Sequence, residues 1–173
     1  MEKIITNSNT QQEFQSIETT RFGKLQYGKQ ELLVFYKGLF GFDNLNEFIL
    51  IERNNSRPFV WLQSVENPVI AFPLVDPLLF IKDYKIEINS SELEEIDIKE
   101  PSEARTFVIA TIPSGRPKDI SLNLLGPVVI NISNRQAIQI ILTNSDYTTK
   151  FYLIKEEDNG IKEEEQSAAV VEV

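Results

Sequence analysis

The side chains here that could do chemistry are carboxylates. The 173 residues include 26 Asp and Glu but no His and no Cys. That removes imidazole bases, thiol nucleophiles, disulfides and the usual zinc ligand sets together. Two carboxylate pairs could act: Glu66 and Asp76, which flank one apolar run, and Glu94 and Glu95. Such pairs hydrolyse glycosides or hold divalent metals, so a carboxylate-based hydrolase or metal-dependent enzyme is one reading. With so many acids in the chain, solvated surface charge is the more economical one. Lys155–Gly160 matches a calcium loop only at its glycine; aligned there, Lys155 takes the first ligand position, where a carboxylate is needed. The chain has no Gly-rich phosphate loop and no nucleophile elbow. No catalytic residue, metal site or cofactor is expected.

Charge narrows the partners. A net charge of −9 and a pI near 4.6 argue against general nucleic-acid binding, which needs a basic footprint. They favour partners that carry basic patches. Glu92, Glu94, Glu95, Asp97 and Glu100 surround the single Lys99. They form either the wet face of a helix or a docking surface for a basic partner. Exposed aromatics such as Phe40 or Tyr147 could anchor a protein interface. The amino-terminal MEKIITNSNTQQ has no apolar signal core. No apolar run approaches the roughly 18 residues of a membrane span. The Asn-x-Ser sequons at Asn54, Asn89 and Asn131 are read as chance. A cytoplasmic monomer is the default expectation.

The elements that must position these groups are organised around Pro58–Ile81, which holds the only Trp and four of the eight prolines. Its runs Phe59–Val65 and Val69–Val75 are Val/Ile/Phe-rich and separated by Glu66-Asn67-Pro68, which reads as a β-hairpin. Upstream, residues 1–16 read as a polar extension and Ile17–Tyr27 as one strand with Gly23 at a bulge. Glu31–Tyr36 and Phe48–Glu52 read as further strands. The loop Gly38–Phe42 between them uses its glycines to press Phe40 and Phe42 inward. Downstream, Tyr84–Ile88 alternates as a strand does. Ser91 and Glu94 fit a capping box for one short acidic helix, pinned by Leu93 and Ile96. Thr106–Ile112, Ile120–Leu124, Val128–Ile132 and Ala137–Thr143 read as strands, with Asp146–Ile154 as a last edge strand. Residues 155–173 carry seven acids and two lysines, the composition of a solvated tail. About nine short strands and one helix predict an all-β, mainly antiparallel, barrel-like domain over residues 17–154.

Four blocks, in order, resemble the FliW family of flagellar assembly factors. Trp61-Leu62-Gln63-Ser64-Val65-Glu66 with Pro68, Ala71-Phe72 and Asp76-Pro77 is similar to the family's core signature. Gly38-Leu39-Phe40-Gly41-Phe42 resembles its Gly-Ile-Pro-Gly-Phe loop, with Phe40 in place of Pro. Asn123-Leu124-Leu125-Gly126-Pro127-Val128-Val129-Ile130-Asn131 resembles its Asn-Leu-Leu-Ala-Pro block, with Gly126 for Ala. Asn144-Ser145-Asp146-Tyr147-Thr148-Thr149 resembles its closing block. The likeness runs from about Ile17 to Lys150 and implies a small β-barrel without catalytic activity. It also implies two protein partners: flagellin, and the basic translational repressor CsrA, antagonised allosterically by partner switching. Flagellin is then expected on apolar residues near Phe40 and Phe42 and near Asn123–Pro127, with Asp146 and Tyr147 of the closing block also on the surface. CsrA is expected on acidic groups around Glu66, Asp76 or Glu92, Glu94 and Glu95. Direct nucleic-acid binding is not expected.

Overall fold

The computed structural model describes residues 13–143 and 146–154. The expected extension up to residue 12 and the acidic tail from 155 lie outside the described residues. The chain opens with β1 (Phe14–Thr19) and β2 (Gly23–Gly28), an antiparallel hairpin standing apart from the main sheet. Ile17–Tyr27 is therefore two strands and not one, and β1 begins inside the stretch expected to be a polar extension. The Thr19 hydroxyl builds the turn: it donates to the Gly23 carbonyl and accepts from the Phe22 N–H. Gly23 sits in that turn at φ +68, not at a bulge.

Then follow β3 (Leu32–Phe35), β4 (Glu47–Glu52), β5 (Val60–Ser64) and β6 (Ala71–Val75), each antiparallel to the next. The central hairpin is thus β5–β6, as its proline punctuation predicts. β7 (Ala104–Thr111) pairs with β6 and also with β9 (Val128–Asn131). β9 pairs with β10 (Gln136–Gln139), and β10 runs parallel to β3. Seven strands, β3 to β7 with β9 and β10, therefore close into a barrel, in which each strand is paired on both sides along at least part of its length. β8 (Ser121–Leu122) and β11 (Phe151–Tyr152) add a short flap outside β7.

Alternation along the strands splits the core into two layers. Phe35, Phe48, Leu62, Leu74 and Phe107 fill the barrel. Val75, Val108, Val129, Ile138 and Ile140 point outward and are covered by Tyr84, Ile96, Ile98, Leu122 and Leu124. β9 is buried at all four positions, which is why it reads as a continuous apolar run and not as an alternation. Trp61 lies on the outer face of β5, half-buried under the edge of the Phe22 ring at 5.7 Å and the Arg21 guanidinium at 4.3 Å.

Other expectations needed shortening. Ile120–Leu124 is strand only at Ser121–Leu122, and Ala137–Thr143 only as far as Gln139. Asp146–Ile154 is strand only at Phe151–Tyr152. Tyr84–Ile88 has the inward–outward alternation of a strand, with Tyr84, Ile86 and Ile88 against the outer core. It has no ladder partner, so it is not one. The helix α1 (Ser90–Glu95) is capped two residues before the expected Ser91: Asn89 is the N-cap, and its N–H donates to the Glu92 carboxylate at 3.0 Å. Leu93 is half-buried and Ile96 buried, as their spacing requires.

Candidate protein-docking site

The site begins with a backbone turn only glycine permits. Gly38 has φ +66, and a Cβ there would sit 2.5 Å from the Phe42 carbonyl oxygen. Leu39 is buried and bridges to Phe42, whose ring meets Phe72 edge-on at 4.9 Å. Phe40, expected to turn inward, is 53% exposed: with Leu39 and Phe42 anchored on either side, the tip between them projects outward.

Gln139 locks this loop to the Asn123–Pro127 block. The Phe40 N–H donates to Gln139 Oε1 at 3.0 Å, and Gln139 Nε2 donates to the Gly126 carbonyl at 3.1 Å. The Gly126 N–H in turn donates to Asn123 Oδ1 at 3.0 Å. Pro127 is buried, and its carbonyl accepts the Ile140 N–H. Asn123 and Pro127 therefore build the wall behind the loop and offer a partner little surface of their own.

In front of that wall lies a groove of roughly 350 Å³, bounded by Phe40, Asp43, Glu92, Glu95, Gln139 and Ile141. Glu95 accepts from Lys37 Nζ at 2.6 Å across it. Past Ile141 a second groove of roughly 360 Å³ continues between Lys85, Glu87, Thr143, Asp146 and Tyr147. The Tyr147 ring packs on Tyr84 at 4.7 Å, and its hydroxyl accepts the Lys85 N–H at 2.9 Å. The buried Tyr84 hydroxyl donates to the Leu124 carbonyl at 2.7 Å. Burial, with Tyr147 beside it adding a smaller effect, pushes that hydroxyl above the ordinary tyrosine value, so it remains a donor at physiological pH.

Phe40, Glu92, Glu95, Asp146 and Tyr147 thus share one continuous surface, whereas Glu94 points to solvent outside the grooves. Glu66 and Asp76 lie elsewhere, at opposite ends of the β5–β6 hairpin. Glu66 accepts from the Asn46 and Glu47 N–H groups at 2.5 and 2.8 Å, and Asp76 from the Leu78 N–H at 2.9 Å. Their separation exceeds the four steps of the intervening strand, about 13 Å, so the hydrolase reading loses its pair. Among the described residues no group of three potential ligand side chains could hold a metal ion.

Sequence reasoning missed Lys37, Gln139 and Ile141. Ile141 had a signal: an isoleucine on the face opposite Ile138, Ile140 and Leu142, and it is 55% exposed. Gln139 had none, because a glutamine alternating outward looks like any solvated strand residue.

Comparison with known proteins agrees over the whole barrel. A family model described as FliW protein matches residues 15–153. The flagellar assembly factor FliW of Pseudothermotoga lettingae is 40% identical over 141 residues, 82% of this chain and 89% of that one. Its counterpart from Ruminiclostridium cellulolyticum is 36% identical over 141 residues, 81% of this chain and 95% of the other. A crystal structure of the flagellar assembly factor FliW superposes with a TM-score of 0.77 at 31% identity, covering 83% of this chain and 99% of that one. The fold, the ordered sequence blocks and these relatives agree: the chain belongs to the FliW family of flagellar assembly factors.

Proposed function

We propose that this protein is a non-catalytic binding module of the bacterial cytoplasm that holds flagellin and, when flagellin is absent, holds and allosterically antagonises the basic repressor CsrA. Partner switching between the two would tie flagellin synthesis to its export. The observation that carries this reading is one surface that combines exposed apolar groups with carboxylates. Phe40 and Ile141 suit an apolar partner, while Glu92, Glu95 and Asp146 suit a basic one. No helix of the described residues is long and apolar enough to cross a membrane.

The test is a competition titration, with flagellin added to a preformed complex of this protein and CsrA. Release of CsrA in proportion to added flagellin is expected. If calorimetry at low ionic strength detects binding to neither protein, the proposal is lost.

A further inference from the structure

Beyond Gln139 the chain keeps pairing on one side only. The Ile140 N–H donates to the Pro127 carbonyl and the Leu142 N–H to the Leu125 carbonyl, both at 3.0 Å. Successive residues of an extended chain direct their backbone groups to opposite sides, so Gln139 and Ile141 point theirs away from β9. On that side β3 reaches only to the pair Ala137–Phe35, after which the chain leaves through Tyr36 into the Gly38–Phe42 loop. Among the described residues the β3 ladder stops short of Gln139, which is itself only 8% exposed, and no backbone carbonyl accepts the N–H of Ile141, which is 55% exposed, so the edge opens at Ile141. The sequence Gln139-Ile140-Ile141-Leu142-Thr143 carries none of the Pro, Lys or bulge devices that usually blunt a free edge. Both grooves run along these same residues.

We infer that this open edge receives an extended, basic segment of a partner protein as an added strand. About five residues, some 17 Å of strand, would fit. Main-chain bonds to Ile141 would supply affinity, and alternate apolar side chains would meet Phe40 and Ile141. The charge selects the occupant. Asp43, Glu87, Glu92, Glu95 and Asp146 line the grooves against Lys37 and Lys85, and Lys37 is already paired with Glu95. A second copy of this chain, at −9, and its own acidic residues 155–173 would both be repelled. The inference rests on the proposed function only in assuming that a protein partner docks here.

Hydrogen exchange at single amides, with and without CsrA and with and without flagellin, reads the edge directly. With the partner that docks here, the Ile141 amide should exchange at least about tenfold more slowly, as for any backbone hydrogen bond formed. Ile141→Pro removes the outward N–H and spares the Ile140 bond to Pro127; it should weaken that partner about tenfold or more. Ile141→Val should stay within about threefold, and both variants should melt within a few degrees of the parent. Three outcomes overturn the edge alone: binding without protection of the Ile141 amide, unchanged affinity in Ile141→Pro, or protection of that amide already present in the free protein. Loss of all binding by the unmodified protein overturns the proposed function and the edge together.

Discussion

Gly38 and Gly41 both hold positive φ, at +66 and +83, yet their surroundings differ. A Cβ on Gly38 would press on backbone, 2.5 Å from the Phe42 oxygen and 2.8 Å from the Asp43 Cα. A Cβ on Gly41 would meet nothing within 4 Å. The conformational penalty for a left-handed alanine, about 1 kcal/mol, is common to both. Only Gly38→Ala must also move main chain, adding about 1–3 kcal/mol. Urea unfolding should therefore show Gly41→Ala losing about 1 kcal/mol and Gly38→Ala about 3 kcal/mol. Because Gly38 sets the position of Phe40, only Gly38→Ala should also weaken partner binding. Equal losses in the two variants would mean that the loop relaxes freely, and that its geometry does not present Phe40. The sequence suggested a glycine-dependent loop, but which glycine is indispensable depends on Phe42 and Asp43 folding back over Gly38.

The connection from α1 into β7 depends on Glu103, whose carboxylate accepts the N–H groups of Lys99 at 2.7 Å and Glu100 at 3.1 Å. These two bonds hold its pKa below the usual 4.5, with the Lys99 charge a smaller contribution. A lowered carboxylate pKa means the folded state favours the ionised form, so this stabilisation is complete above 4.5. It is lost as the pH falls through the folded value. Glu103→Gln should consequently lower the urea midpoint at pH 6, and the gap to the parent should narrow as the pH falls toward 3; a gap of equal size at both would refute the assignment. Elements of this kind were only partly legible beforehand. The β5–β6 hairpin could be read because its signals, apolar runs and prolines, are local. The helix was found but misregistered, because Asn89 with Glu92 and Ser91 with Glu94 both fit the capping pattern. Packing of Leu93 and Ile96 chooses between them. Tyr84–Ile88 misled for a related reason: alternation reports which residues face the core, and a segment can lie along a core without pairing. Parts of the candidate surface, Phe40, Glu92 and Tyr147, could be named from the sequence as expected binding residues, but their assembly on one face could not. Gln139 joins the parts by touching residues distant in sequence on both sides.

At the scale of the whole molecule, the parallel pairing of β10 with β3 joins residues about a hundred positions apart and brings the Gly38–Phe42 loop to the foot of α1. The acidic groove exists only because the barrel closes there. That gives the net charge of −9 a local focus, and the two proposed partners should respond to salt differently. A basic partner guided by the field of the whole protein should associate more slowly as salt rises, because the Debye length shrinks from about 10 Å at 0.1 M to about 3 Å at 1 M. A partner held mainly on Phe40 and Ile141 depends on apolar burial, which salt does not screen. Stopped-flow association measured from 50 mM to 500 mM salt should show the CsrA rate falling about tenfold or more. The flagellin rate should change by no more than about threefold over the same range. Glu92→Gln with Glu95→Gln should flatten the CsrA dependence while leaving flagellin unaffected. If instead both partners slow in parallel, and the double variant keeps the parent's salt slope, the groove is not where the field acts. The general surface charge would then be steering both encounters, and the acidic face of α1 would be solvated surface.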